Sequence, residues 1–125
     1  MSHAPSAAAL TGLRVLIVED EFVIAFELSS ILDDLGCVVL GLAASVPEAL
    51  RLLAADPPDV TLLDINLNGT RSTPVALALA AGGLRFVAVT AYANLPEPVF
   101  DGVPIVAKPF WPEQIRDALL ALARP

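Results

Sequence analysis

The chain is short of positive charge. Its 125 residues carry 14 Asp and Glu against 7 Lys and Arg, a formal charge of −7, and Lys108 is the sole lysine. That balance argues against a nucleic-acid binder, because neutralising a phosphate backbone takes lysines and arginines in number. Cysteine is nearly missing as well. Cys37 stands alone, which excludes a disulfide framework and any paired-cysteine redox or zinc site and fits a reducing, cytoplasmic compartment. Long apolar runs are also lacking. Despite a mean hydropathy of +0.72, runs such as Cys37–Ala44 and Val75–Leu84 stop well short of the roughly 20 residues of a bilayer span. The first ten residues hold no Lys or Arg ahead of their alanine run, so a signal peptide is rejected. Residues 1–11 read instead as a flexible tail and 12–125 as one domain. What is present is a core: 56% of the residues are hydrophobic and 17% charged, which excludes disorder.

Short β-rich runs alternate with amphipathic stretches. Leu13–Val18 reads as a buried strand. Glu21–Leu35 follows with apolar residues at helical spacing and stops at Gly36. Cys37–Ala44 is a second strand. Ser45-Val46-Pro47-Glu48 has the capping-box form with an early proline, and that helix runs to about Ala55. Val60–Leu63 is a third strand, and Asn66–Gly69 has turn chemistry. Ser72-Thr73-Pro74 opens a helix that stops at Gly82-Gly83. Arg85–Val89 and Val103–Ala107 are the fourth and fifth strands, and Pro112 starts a last helix to about Ala123. Alternating strands and helices predict βαβ units with right-handed crossovers. The expected fold is α/β, a doubly wound five-stranded parallel sheet in the flavodoxin-like order 2-1-3-4-5. Between the last two strands, Pro96 and Pro98 do not suit a helix interior. The fourth helix is therefore expected to be short, displaced or absent.

Ligands of an open α/β sheet bind outside the carboxyl ends of its strands. Glu19, Asp20 and Glu21 follow the first strand, Asp64 the third, Thr90 the fourth and Lys108 the fifth. Each has an ordinary explanation by itself. Acids after a strand are common helix N-caps, Asp64 suits an Asx-turn, and a lysine is usually a solvated charge. Together they point to chemistry. Carboxylates gathered at adjacent strand ends repel one another unless a cation joins them. An all-oxygen set without His or Cys suits Mg²⁺. A lysine and a hydroxyl beside it supply the charge and the donor that a phosphoryl group needs.

At these positions the chain resembles a response-regulator receiver domain. The matching motifs are Val15–Glu21 (VLIVEDE), Leu62–Gly69 (LLDINLNG), Val89–Ala91 (VTA) and Ala107–Phe110 (AKPF), in order across residues 12–123. The resemblance implies that Asp64 is the phosphoacceptor, and that Glu19 and Asp20 hold Mg²⁺, Asp20 directly and Glu19 through water. It makes the backbone carbonyl of Asn66 a further metal ligand, with the Asn66 side chain beside the phosphoryl group. Thr90 is implied as the hydroxyl that turns toward the phosphate, Ala91 as the small residue beside it, and Lys108 as the partner of the phosphoryl oxygens. A cis Lys108–Pro109 bond is expected. The implied partner is a histidine kinase or histidine phosphotransferase, met as a monomer or weak dimer, without nucleic acid or membrane. Phe22, Val23 and Phe26 on the first helix are the expected docking surface.

The chain departs from the family at its switch position and in the short Thr90–Lys108 interval, which leaves little room for a full fourth helix. Many receivers carry an aromatic residue three positions before the lysine, where this chain has Ile105. Tyr92, the sole tyrosine, is the candidate to take over the switch or to gate Asp64; the alternative is a surface-packing tyrosine. The segment Val89–Asn94 (VTAYAN) and the weak fourth helix resemble the atypical FAT GUY subgroup of receivers. Because the last helix ends close to Pro125, a single-domain regulator is expected, one that signals by protein contact or shuttles phosphate. The competing reading is a Mg²⁺ phosphatase or phosphotransferase of the haloacid-dehalogenase type, which also uses Asp, Thr or Ser, and Lys. That type needs its nucleophile after the first strand and a second acidic pair after the lysine. A flavodoxin would need a hydroxyl-rich phosphate loop where this chain has Glu19-Asp20-Glu21.

Overall fold

A computed structural model of the chain describes residues 7–92 and 94–123. The apolar runs become strands: β1 (Arg14–Val18), β2 (Val38–Ala43), β3 (Val60–Leu63), β6 (Arg85–Thr90) and β7 (Ile105–Ala107). Helices α1 (Phe22–Asp34), α2 (Val46–Ala55), α3 (Thr73–Ala81) and α4 (Pro112–Ala123) lie between or after them. A small hairpin of β4 (Asn66–Leu67) and β5 (Thr70–Arg71) follows β3. The main sheet is parallel in the order β2-β1-β3-β6-β7. Leaving out the hairpin, this is the expected 2-1-3-4-5 arrangement.

Strand alternation divides the core into two layers. Val15 and Ile17 of β1 and Leu62 of β3 pack with Ala25, Leu28, Ile115 and Leu119, under α1 and α4. Leu16 and Val18, with Leu63 and Phe86, pack with Ala49, Leu53, Val75 and Leu79, under α2 and α3. Both faces of the central strands are thus buried, which is why their sequences are continuously apolar rather than alternating. Truncating one of the leucine, isoleucine or phenylalanine side chains of these layers to alanine costs about 2–5 kcal/mol.

Local signals end the elements near their expected bounds. Gly36 adopts φ +82°, and its N–H bonds the Asp33 carbonyl at 3.0 Å while that of Cys37 bonds Leu32 at 3.0 Å. This is a Schellman stop that a β-carbon would disfavour. Ser45 caps α2 by accepting from the Glu48 N–H at 3.3 Å, while the Glu48 carboxylate reaches back to the Ala44 N–H at 3.1 Å. The fifth strand is shorter than the expected Val103–Ala107. The Pro104 carbonyl still accepts from the Ala88 N–H at 2.9 Å, but proline has no N–H to continue the ladder. Between β6 and β7 a 3-10 turn over Pro98–Phe100 stands in for a fourth helix. Phe100 anchors it, buried edge-on against Phe86 with ring centroids 6.3 Å apart.

Most of the expected tail, residues 1–6, lies outside the described residues. Ala7–Leu10, placed in that tail by the sequence, forms a 3-10 turn whose Leu10 is fully buried with the α1–α4 layer. Among the described residues no helix is long and apolar enough to cross a membrane.

Candidate functional site

The backbone itself brings the strand ends together. One residue beyond β1, the Glu19 N–H bonds the Ala43 carbonyl at 2.9 Å. One residue beyond β3, the Asp64 N–H bonds Val18 at 2.9 Å. One residue beyond β7, the Lys108 N–H bonds Thr90 at 2.9 Å. The ladders therefore run on by one rung and fix three charged side chains at the carboxyl edge of the sheet. The Lys108–Pro109 peptide is cis.

Carboxylate oxygens of Glu19, Asp20 and Asp64 all lie within 4.8 Å of one another. The Lys108 ammonium donates to Glu19 Oε2 at 2.8 Å and to Asp64 Oδ2 at 3.2 Å. Asp64 Oδ1 accepts from the Asn66 N–H at 3.3 Å. Glu19 and Asp64 are 3% and 6% exposed, so their charges are poorly solvated. Burial pushes the Glu19 carboxyl up to about 7, against the pull of its hydrogen bond to Lys108 and with the Asp64 charge adding to the rise. Burial likewise raises Asp64, opposed by the charge and hydrogen bond of Lys108. Burial alone would lower Lys108, but its bond to Glu19 and the two carboxylate charges outweigh it and the net shift is upward.

The helix-cap explanation of the acids does not hold. Glu21 is the N-cap of α1 and makes no side-chain cap bond. Asp20 instead accepts from the Asn68 N–H at 2.9 Å, and Glu19 accepts from the Glu21 N–H at 3.3 Å as well as from Lys108. With all groups ionised, three carboxylates and one ammonium leave two negative charges, which one divalent cation would cancel. The donors are all oxygen, as a hard cation requires. The residues present therefore fit Mg²⁺.

Around these groups is a cleft of about 400 Å³ lined by Asp20, Asp64, Asn66, Thr90, Tyr92 and Lys108, among others. Thr90 is buried, and its hydroxyl oxygen accepts from the Tyr92 N–H at 3.0 Å. Its O–H is left to donate. Ala91 also lines the cleft and adds no bulk there. Tyr92 is 43% exposed, and its hydroxyl accepts from Asn66 Nδ2 at 3.1 Å. Ile105 is 49% exposed and is not among the lining residues.

The hairpin was not foreseen as strands, although its signal is present. Asn68 and Gly69 have φ of +57° and +88°, the two left-handed residues of a type I′ turn, for which Asn-Gly is the preferred pair. That turn carries the Asn68 N–H to Asp20. Ser72 Oγ donates to the Asp64 carbonyl at 2.7 Å and closes the loop behind the site. Sequence reasoning also missed the pair of Arg71 and Glu97, in contact at 2.6 and 2.8 Å.

Comparison with known proteins agrees with this geometry. The response regulator receiver domain family matches residues 15–120. The chain belongs to that family. It is 32% identical over 117 residues to the phyllosphere-induced regulator PhyR of Methylorubrum extorquens, covering 86% of this chain and 42% of PhyR. It is 32% identical over 112 residues to the sensory transduction protein LytT of Bacillus anthracis, covering 86% of this chain and 46% of LytT. The chain thus spans less than half the length of these curated relatives. Among solved structures, SdrG from Sphingomonas melonis Fr1 superposes with a TM-score of 0.79 at 38% identity, covering 93% of this chain and 98% of SdrG. The PhyR receiver domain of Erythrobacter litoralis gives 0.78 at 27%, covering 91% and 92%. These PhyR-like relatives are consistent with the atypical subgroup to which the VTAYAN segment points. The receiver match also sets aside the haloacid-dehalogenase alternative.

Proposed function

We propose that this receiver accepts a phosphoryl group on Asp64 from the phosphohistidine of a kinase or phosphotransferase in the cytoplasm, and passes the signal on by protein contact or onward phosphate transfer. The observation that carries this reading is the convergence of Glu19, Asp20 and Asp64 around Lys108 at one sheet edge.

Asp64 is the nucleophile. One carboxylate oxygen forms a bond to phosphorus as the phosphorus–nitrogen bond of the donor breaks, and the departing imidazole keeps the electron pair and takes up a proton. Phosphoryl transfer depends mainly on position and charge. Lys108 neutralises the transferred oxygens, exchanging its bond to Asp64 for one to the phosphoryl group. The Thr90 hydroxyl donates to another oxygen, a role open to a buried hydroxyl whose oxygen accepts from the Tyr92 N–H and whose proton has no other acceptor among the described residues. Asp20, Asp64 and the Asn66 carbonyl would hold Mg²⁺ directly and Glu19 through water, and the ion when bound supplies further charge neutralisation. Tyr92, at the mouth of the cleft and bonded to Asn66, gates access to Asp64 in place of the aromatic residue missing at Ile105. Phe22 and Phe26, 75% and 63% exposed with centroids 6.4 Å apart, form an apolar face on the first turns of α1 where the donor docks.

Beryllofluoride mimics the phosphoryl group and tests this reading. Trp111, exposed and three residues beyond Lys108, should change emission when beryllofluoride and Mg²⁺ are added together. An unchanged emission accompanied by unchanged backbone NMR shifts around Asp64 would refute the site.

A further inference from the structure

Arg71 and Glu97 make no polar contact with Asp64, Lys108 or the acidic pair, yet they form the best-formed ion pair among the described residues. Arg71 Nε and Nη2 grip the two Glu97 oxygens at 2.6 and 2.8 Å, a two-point fork. Thr73 Oγ1 adds a bond to the same carboxylate at 3.1 Å. Arg71 sits on β5 of the hairpin, and Glu97 directly precedes the 3-10 turn. The pair ties the loop after β3 to the loop after β6. The Arg71 guanidinium also lies 5.5 Å from the ring centroid of Tyr92, within cation–π range. From Tyr92 the chain of contacts continues to Asn66 Nδ2 at 3.1 Å, and Asn66 Oδ1 is held by the Gly69 N–H at 2.9 Å. Tyr92 and Asn66 line the cleft.

We infer that Arg71 and Glu97 are positioning residues: fixed by Glu97, Arg71 holds the Tyr92 ring at the mouth of the acidic cleft and so sets the lifetime of the phosphoryl group. This rests on the reading of Asp64 as phosphoacceptor. Loss of the group is hydrolysis. Water attacks phosphorus, the phosphorus–oxygen bond to Asp64 breaks, the carboxylate departs with the electron pair, and inorganic phosphate leaves carrying the water oxygen and both of its protons. A ring held over the mouth restricts the line along which that water arrives. A freed ring does not.

The test is a set of variants labelled with acetyl phosphate and Mg²⁺, checked for folding by circular dichroism, and followed for phosphate loss after the donor is removed. Arg71→Ala and Glu97→Gln should each lose phosphate roughly three- to tenfold faster, the effect expected of a half-buried ion pair and a ring contact acting together. The exchange of the two charges, Arg71→Glu with Glu97→Arg, should restore slow loss. Tyr92→Leu should also be faster, and adding Arg71→Ala to it should change nothing more, because both act through one ring. Wild-type rates in the single variants, slower loss, or multiplied effects in the double variant would overturn the inference. Failure of the wild type to take label at all would instead refute Asp64 as acceptor. A second measurement needs no label: the Asn66 side-chain amide and Tyr92 ring signals in NMR should shift in Glu97→Gln, and unchanged signals would overturn the clamp.

Discussion

Replacing Thr61 by valine should stabilise the protein. Thr61 lies in β3, the central strand, paired with Leu16 of β1 and Phe86 of β6. It is fully buried, and its hydroxyl has no hydrogen-bond partner among the described residues. Strand alternation turns it toward the layer that holds Leu16, Leu63 and Phe86. An unsatisfied buried hydroxyl costs about 1–3 kcal/mol. Valine has nearly the same shape and the same stiffness at χ1, so the penalty disappears with little new strain. Allowing for the slightly larger methyl group, the net gain should be about 1–2 kcal/mol, or roughly 3–7 °C in Tm for a domain of this size. Serine is the control. It keeps the orphan hydroxyl and loses a methyl group, at a cost of about 1 kcal/mol. Urea unfolding in EDTA, followed by circular dichroism at constant slope, measures both. The expected order of stability is valine, threonine, serine. A valine variant no more stable than wild type would refute it, because the hydroxyl would then have a partner.

The remaining predictions bear on the site and its surroundings. Excess Mg²⁺ should stabilise the fold by mass action, by about 2.7 kcal/mol at a hundredfold excess over Kd, and so raise Tm. Scanning fluorimetry should find that Glu19→Gln with Asp20→Asn blunts that rise. Arg71 holds the Glu97 carboxyl down at about 2 by their hydrogen bond. Its folded value is therefore below its unfolded one, and the pair's contribution is present above about pH 4.5 and is lost as pH falls toward 2. A carboxyl-carbon NMR titration should place Glu97 near 2 in wild type and in the ordinary glutamate range in Arg71→Gln. Phe22→Asp should change stability by less than about 0.5 kcal/mol. It should slow phosphotransfer from a phosphohistidine donor while leaving labelling by acetyl phosphate intact, and equal slowing of both would contradict a docking role for α1.

The fold was legible because its signals are local. Continuous apolar runs such as Val15–Val18 mark strands buried on both faces, and Gly36 and the Ser45–Glu48 box mark helix ends. Pro96 and Pro98 likewise foretold the weak fourth helix, although not the anchoring of its replacement through Phe100. Of the candidate site, the meeting of Glu19, Asp64, Thr90 and Lys108 followed from strand order alone. Which carboxylates the lysine would bond did not, since that depends on the rungs that continue past each strand. Asn68-Gly69 carried a hairpin signal that was read only as a turn. The Arg71–Glu97 pair had no local signal at all. Its members are 26 residues apart, in segments without regular spacing, and only the folded hairpin brings them together.

The central claim is that Asp64 becomes phosphorylated. Incubation with acetyl phosphate and Mg²⁺ followed by intact mass spectrometry tests it directly, with wild type, Asp64→Asn and Glu21→Ala side by side. Wild type and Glu21→Ala should each gain one phosphoryl group in a Mg²⁺-dependent way, and Asp64→Asn should gain none. Incorporation that survives in Asp64→Asn would contradict the claim.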